Sequence, residues 1–227
     1  MMKILAVIPA YNEEACLADT IREFVETCPE IDYLVINDGS SDATPDICDR
    51  NGYNHIDLPI NTGLSSGFRT GMKYALRHGY DAVVQFDADG QHDPAYLPQM
   101  AQKLGETGCD IVIGSRYLAG ESAKGMRNVG SRIITWLIRH TTGVSLTDPT
   151  CGLRMYGSNM IPIFAKGFDL GPEPDTVALL LRNGATVTEI PVSIRDRQGG
   201  VSYLNPIRAA RYMLRTCSSL ILFLWFR

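Results

Sequence analysis

Apolar runs of strand length alternate along the first half of the chain with segments whose apolar positions recur every three or four residues. Ile4-Leu5-Ala6-Val7-Ile8 is continuously apolar and closed by Pro9, as expected of a strand buried on both faces. Leu17, Ile21, Phe24 and Val25 then share one face of a predicted helix, with Asn12 as its expected N-cap. A second strand, Tyr33 to Asn37, runs into Asp38-Gly39-Ser40-Ser41-Asp42, where Asp42 is placed to cap a helix with Pro45 in its first turn. The pattern continues with a short strand near His55 to Leu58, a helix from Phe68 to His78 and a strand into Asp87. Pro94 opens a helix to about Thr107 behind the cap residue Asp93, and Ile111 to Gly114 is a further strand.

Beyond this point the periodicity predicts a helix from Ile133 to Thr142 and a loop that becomes a strand between Thr150 and Tyr156. An edge strand interrupted by Pro191 follows from Thr186 to Ile194, and a last helix begins near Asn205-Pro206. Alternating strands and helices with short connections imply an α/β domain built on a mostly parallel sheet. Ligands of such sheets bind at the carboxyl ends of strands. Here those ends carry Tyr11 and Glu13, Asp38, Asp87 and Asp89, and Arg116.

Composition narrows the class. With 227 residues, 45% hydrophobic and 20% charged, the chain suits one large domain with its own core. The net charge of -4 conceals an asymmetry: residues 1–110 carry 18 Asp and Glu against 7 Lys and Arg, whereas residues 111–227 carry 7 against 14. A basic second half is expected to face an anion. The six cysteines contain no Cys-x-x-Cys pair, which points to reduced thiols in a cytoplasmic protein. Met1-Met2-Lys3 leads straight into a strand, so no signal peptide is expected. The late apolar run Leu220 to Phe226 falls far short of the ~20 residues that span a bilayer.

The densest chemistry lies in Asp87-Ala88-Asp89-Gly90-Gln91-His92. Two carboxylates two residues apart point to the same side of an extended backbone and suit Mg²⁺ or Mn²⁺ with positions left for phosphate oxygens; Gln91 is placed to complete the set. The alternative is a turn whose aspartates cap the next helix, and His92 reads as a packing or hydrogen-bonding residue. Asp38 is placed to accept from a base or ribose, or else to shape the turn at Gly39. No Gly-x-Gly-x-x-Gly follows the first strand and no Walker lysine motif occurs, which disfavours a dinucleotide fold and a P-loop NTPase.

Taken together, Pro9-Ala10-Tyr11-Asn12-Glu13-Glu14, Asn37 to Thr44, Asn61-Thr62-Gly63 and Asp87 to His92 resemble, in order, the motifs of family 2 glycosyltransferases. Gly114-Ser115-Arg116-Tyr117, Asp148 to Tyr156 and Glu189-Ile190-Pro191-Val192 extend the resemblance to the dolichol-phosphate mannose synthase-like branch. The resemblance implies a GT-A fold, an inverting mechanism, a UDP- or GDP-sugar donor and a divalent metal. Under it, residues 1–203 form the catalytic domain, with a nucleotide-sugar half (1–115) and an acceptor half (116–203). Pro9, Tyr11, Glu13 and Asp38 would hold the nucleoside, with Asn61, Gly67 and Ala88 also on the donor side. Asp87, Asp89 and Gln91 would hold the metal with the diphosphate, and Arg116, Arg127 and Ser131 the phosphate of a polyprenyl acceptor. Arg197 would sit on a mobile loop near the donor phosphates, although Tyr203 stands after Ser202 where the branch has a basic residue.

An acceptor that is already an anion needs arginines more than a base. Asp89 and Arg116 are therefore expected to be catalytic, and Asp175 is the candidate base if a saccharide hydroxyl is the acceptor. Glu173 and Asp175 equally suit capping of a helix. The final stretch, residues 204–227, carries Arg208, Arg211, Arg215 and Trp225 with an apolar end, and reads as an amphipathic helix for a membrane surface or a small membrane subunit, ahead of the alternative that it packs on the core. The expected enzyme is peripheral on the cytoplasmic face of the membrane and serves cell-surface glycan synthesis.

Overall fold

The computed structural model describes residues 2–120, 126–167, 170–195 and 206–225, with backbone alone at 126–128, 206–210 and 223–225. In chain order the elements are β1 (Ile4–Ala10), α1 (Leu17–Thr27), β2 (Asp32–Asn37), α2 (Thr44–Asn51), β3 (His55–Asp57), α3 (Leu64–His78) and β4 (Ala82–Gln85). A 3₁₀ turn (Pro94–Tyr96) leads into α4 (Leu97–Thr107), followed by β5 (Ile111–Ser115), α5 (Met126–Thr142), β6 (Arg154–Gly157), α6 (Met160–Lys166), α7 (Pro174–Arg182), β7 (Val187–Pro191) and α8 (Pro206–Trp225). The strands form one sheet in the order β3-β2-β1-β4-β6-β5-β7. All pairs are parallel except those of β6, which runs antiparallel between β4 and β5. The expected mostly parallel sheet flanked by helices is present, and the strand carrying Pro191 lies at its edge, where a missing N–H is tolerated.

Several local expectations change. Asn12 does not cap α1: it adopts φ 55°, its Oδ1 accepts from Ser41 N at 2.9 Å, and the helix starts at Leu17 with no side-chain cap. Leu17, Ile21 and Phe24 are buried, but Val25 is exposed. α3 starts at Leu64 rather than Phe68, because Asp38 holds the two residues just ahead of it, Thr62 and Gly63. β4 stops at Gln85, and Ala88-Asp89 lie in a turn closed by Gly90 at φ 75°. Asp87 and Asp89 thus share a turn rather than one face of an extended strand. α5 begins at Met126, before the expected Ile133, and α6 had no counterpart in the periodicity analysis. Asp42 and Asp93 do act at helix starts, accepting from Thr44 N and Ala95 N at 2.9 Å each.

The core follows from the apolar runs. β1, β4 and β5 are buried on both faces, and Phe68, Tyr156 and Phe164 pack with ring centroids 5.0–5.5 Å apart. α3 lies directly on β1: a Cβ on Gly71 would stand 2.4 Å from both γ-carbons of Val7. α8 packs on α5 and α7, burying Thr216 and Leu220, and a Cβ on Gly130 of α5 would meet Met213 Sδ at 3.0 Å. All six cysteines are free thiols. Burial holds those of Cys28, Cys48 and Cys151 up at about 11, where they are inert at neutral pH.

Because rotating Val7 brings one γ-carbon in as the other leaves, Gly71→Ala forces α3 away from β1. It is expected to destabilise by about 1–3 kcal/mol, read as a lower urea midpoint at unchanged m-value. An unchanged midpoint would show that the helix accommodates the methyl group.

Candidate active site

At the carboxyl ends of β1 and β2, two loops are laced together by backbone-to-side-chain hydrogen bonds. Asn12 N donates to Ser40 Oγ, Glu13 N to Thr44 Oγ1 and Glu14 N to Asp42 Oδ2 at 2.9–3.1 Å, while Ala43 N donates to Glu14 Oε2. This fixes the backbone beneath Pro9, Tyr11 and Glu13, and leaves Tyr11 40% exposed, available for stacking. Asp38 is nearly buried and already occupied. Its Oδ1 accepts from Thr62 N and Oγ1 at 2.8 Å, and its Oδ2 from Gly63 N at 2.7 Å. Gly39 permits this, since a Cβ there would lie 2.4 Å from the Ile60 carbonyl carbon. Asp38 therefore shapes the wall that carries Asn61, and Gly67 faces Ile36 from within α3.

The carboxylate turn after β4 is built with more partners than the motif discloses. Gln85 Nε2 donates to Asp87 Oδ1 at 3.1 Å. Asp87 N donates to His92 Nδ1 at 3.1 Å, which places the proton of a neutral His92 ring on Nε2, 3.5 Å from Asp87 Oδ2. Asp89 Oδ1 accepts from Gln91 N, and Thr20 Oγ1 donates to the Ala88 carbonyl. Gln91 pairs with the chain leaving β7: its carbonyl accepts from Arg195 N at 3.0 Å and its Nε2 donates to Arg195 O at 3.3 Å. Arg195 in turn bridges Glu23 and Asp93 at 2.6 Å each. Arg197, two residues on, lies outside the described residues.

Whether these residues suit a divalent cation is tested by Gly152. A Cβ at that position would lie 3.2 Å from Asp87 Oδ2 and 3.5 Å from the His92 ring, so the glycine keeps one side of the carboxylate clear. Among the described residues no three His, Cys, Asp or Glu side chains converge into a closed centre. Two carboxylates and an amide on a short turn fit a cation that shares its shell with phosphate and water.

The same 148–152 loop carries the arginine site. Asp148, fully buried, accepts from Arg116 Nε at 2.6 Å and Nη2 at 2.8 Å, a bidentate pair, and from Arg116 N at 3.2 Å. Hydrogen bonding to Asp148 pushes the Arg116 guanidinium well above its ordinary value. Thr150 Oγ1 donates to Asp148 Oδ1 and accepts from Arg116 Nη2, so its 3.3 Å contact with Ser131 uses the serine proton. Glu189 of β7 holds the loop from behind, accepting from Thr147 N and Asp148 N at 2.7–2.8 Å. Arg116 and Ser131 thus meet through Thr150, and Arg116 Nη1 is left uncommitted among the described residues. The Arg127 backbone belongs to α5, but its side chain lies outside the described residues.

Arg154 ties these parts together. Only 1% exposed, it donates from Nε to Cys151 O, from Nη1 to Pro172 O and from Nη2 to Pro149 O at 2.7–2.9 Å. Just beyond Pro172, Glu173 and Asp175 open α7. Glu173 takes the N-cap position without a side-chain cap bond, and Asp175 Oδ1 is buried with no hydrogen-bond partner, so neither caps the helix. An unpaired buried acceptor of this kind costs about 1–3 kcal/mol. Asp175 lines a cavity of about 290 Å³ between α3, α7 and α8. Sequence reasoning assigned no role to Gln85, Asp148, Thr150, Gly152 and Glu189; the motifs Asp148 to Tyr156 and Glu189 to Val192 contained all of them but Gln85 without saying what each does.

The glycosyl transferase family 2 model matches residues 5–161. The undecaprenyl-phosphate mannosyltransferase of Micrococcus luteus is 30% identical over 219 residues, covering 90% of this chain and 88% of that protein. The polyprenol monophosphomannose synthase of Mycolicibacterium smegmatis is 29% identical over 218 residues, 89% of this chain and 81% of its own. The undecaprenyl-phosphate 4-deoxy-4-formamido-L-arabinose transferase of Pseudomonas fluorescens is 30% identical over 224 residues, but the match spans only 63% of that protein. Among solved structures, glucosyl-3-phosphoglycerate synthase from Mycobacterium tuberculosis, in complex with Mn²⁺, UDP-glucose and glycerol 3-phosphate, superposes with a TM-score of 0.72 at 17% identity, over all of this chain and 81% of that one. That likeness concerns the fold. With most of the chain matched by the family model, and with the Micrococcus relative 30% identical over 88% of its own length, the protein is a member of glycosyltransferase family 2.

Proposed function

We propose that the protein transfers a sugar from a UDP- or GDP-sugar to a polyprenyl phosphate, undecaprenyl or dolichyl, with inversion, for cell-surface glycan synthesis. The observation that carries this reading is the Arg116–Asp148–Thr150–Ser131 cluster on the loop whose Gly152 faces Asp87. It puts a pre-oriented guanidinium beside the carboxylate turn, as a phosphate nucleophile would require. The names of the Micrococcus and Mycolicibacterium relatives support the acceptor class.

In this reading Tyr11 and the 11–14 and 40–44 loops receive the nucleoside, and Asp38 holds the wall beside it. Asp87, Asp89 and Gln91 would hold Mg²⁺ or Mn²⁺, which when bound offsets the charge of the departing diphosphate. Gln85 and His92 keep the Asp87 carboxylate in one orientation. Arg116, locked by Asp148, positions a phosphate oxygen of the acceptor for attack on the anomeric carbon. That oxygen carries no proton to remove, so no base is required. A saccharide acceptor, by contrast, would need Asp175 to take a proton.

Seating at a membrane surface belongs to the same proposal. Among the described residues no helix is long and apolar enough to cross a bilayer. α5 exposes Val129, Ile133 and Trp136, and its neighbour α8 exposes Leu214, Ile221 and Leu222. Neither helix contains an Asp or Glu, while both carry arginines. Apolar side chains flanked by arginines suit an anionic headgroup layer.

Three outcomes are expected. With undecaprenyl phosphate and a panel of UDP- and GDP-sugars, the wild type forms a lipid-linked sugar. Arg116→Ala raises the KM for the lipid about tenfold or more, as loss of a charged hydrogen bond predicts, and leaves nucleotide binding intact. Transfer confined to soluble saccharides would refute the acceptor. Second, Asp87→Asn abolishes the Mn²⁺-dependent part of nucleoside diphosphate binding in calorimetry; equal binding with and without the ion would remove the metal role. Third, the protein co-sediments with phosphatidylglycerol vesicles, and Trp136→Ser with Leu214→Ser weakens this. Indifference to vesicles would argue against a membrane-facing surface.

A further inference from the structure

The cavity between α3, α7 and α8 is built unlike the rest of the site. Glu173, Asp175, Thr176, Ser65, Arg215 and Ser219 supply its polar lining, and Leu170 and Leu179 its apolar lining. Carboxylate acceptors, a guanidinium donor and hydroxyls around a small apolar surface match a neutral polyhydroxylated ring, whose hydroxyls donate and accept while its C–H face packs. About 290 Å³ sits just under the roughly 300–1,000 Å³ typical of small-ligand sites and leaves room for a monosaccharide.

Position agrees with chemistry. Ser65 follows Thr62 and Gly63, the residues gripped by Asp38 on the nucleoside side. Gly171 approaches Ser65 so closely that a Cβ would stand 2.1 Å from Oγ, so any side chain there would push into this wall. Pro172 hangs from Arg154, which also holds the loop beside Asp87. The walls of the cavity are therefore tied through Asp38 to the nucleoside loops and through Arg154 to the 148–152 loop. Of the groups in this lining, Arg215 forms no ion pair among the described residues, and Asp175 Oδ1, buried within the wall, accepts no hydrogen bond.

We propose that this cavity receives the hydroxyls of the transferred sugar, and that Arg215 and Ser219 make α8 part of the sugar-selecting wall. The inference rests on the reading of the donor as a nucleotide sugar. It gives Asp175 a role in binding rather than in proton removal, and gives α8 a function at the site besides its exposed face.

The test is calorimetric and needs no acceptor. Affinities of the full-length protein with Mn²⁺ are measured for a panel of UDP- and GDP-sugars, the corresponding nucleoside diphosphates, and deoxy analogues of whichever nucleotide sugar binds most tightly. Wild type should prefer that sugar over at least one deoxy analogue. In Arg215→Ala, Ser219→Ala and Asp175→Asn the preference should shrink, by about tenfold for the two charged positions, with nucleoside diphosphate affinity held within about twofold. A wild type indifferent to the deoxy change, a preference unaltered in all three variants, or a parallel loss of nucleoside diphosphate binding would each overturn the proposal. Failure of transfer to polyprenyl phosphate would refute the acceptor reading and leave this ratio measurable. An Asp175 acting only as a base would change turnover without changing the ratio.

Discussion

The guanidinium of Arg154 is almost wholly buried and donates to the carbonyls of Pro149, Cys151 and Pro172. Burying a cation is costly unless its donors are taken up, and here three carbonyls at the carboxyl end of the sheet take them. In return, two chain segments that form no regular structure of their own acquire fixed positions. One carries Asp148, Thr150 and Gly152; the other leads to Glu173 and Asp175. The arginine cluster, the clear side of Asp87 and the α7 end of the cavity all depend on this one side chain. It sits on β6, the antiparallel strand inserted between β4 and β5, so the break in sheet direction brings the 148–152 loop to the carboxylate turn.

A common logic runs through the site: groups that would face ligand are each held by a neighbour that does not. Gln85 and His92 hold Asp87, Asp148 holds Arg116, and the Thr62–Gly63 segment is held by Asp38. Such arrangements cut the reorganisation needed at the moment of reaction. They also redistribute roles. Asp38, which as a sequence motif suggested a direct nucleoside contact, has both oxygens occupied by the protein and shapes the wall at Thr62 and Gly63 instead.

α8 joins functions that the chain's far end suggested only in part. Thr216 and Leu220 pack into the body against α5 and α7, Leu214, Ile221 and Leu222 remain exposed, and Arg215 and Ser219 line the cavity. A helix committed to the body on one side can present its other sides in a fixed orientation, which a detached tail could not do.

Much of this was legible in the chain itself. The alternation of apolar runs with helical periodicity determined the layered α/β class, because burial on both faces of a parallel strand demands continuous apolar residues. Pro191 determined an edge strand, Asp93 a helix start, and the ordered motifs around Asp38, Asp87 and Arg116 the family. These are local matters of turn chemistry, backbone freedom and side-chain period. What the tertiary structure alone decided are contacts between residues far apart in sequence: Arg116 with Asp148, Gln91 with Arg195 across 104 positions, Gly152 against Asp87, and α8 against α7. No local pattern encodes them, since each depends on which strand β6 lies beside and in which direction it runs. That choice is made by packing of the whole sheet, and it is what turns a weak pair of aspartates into one wall of a site.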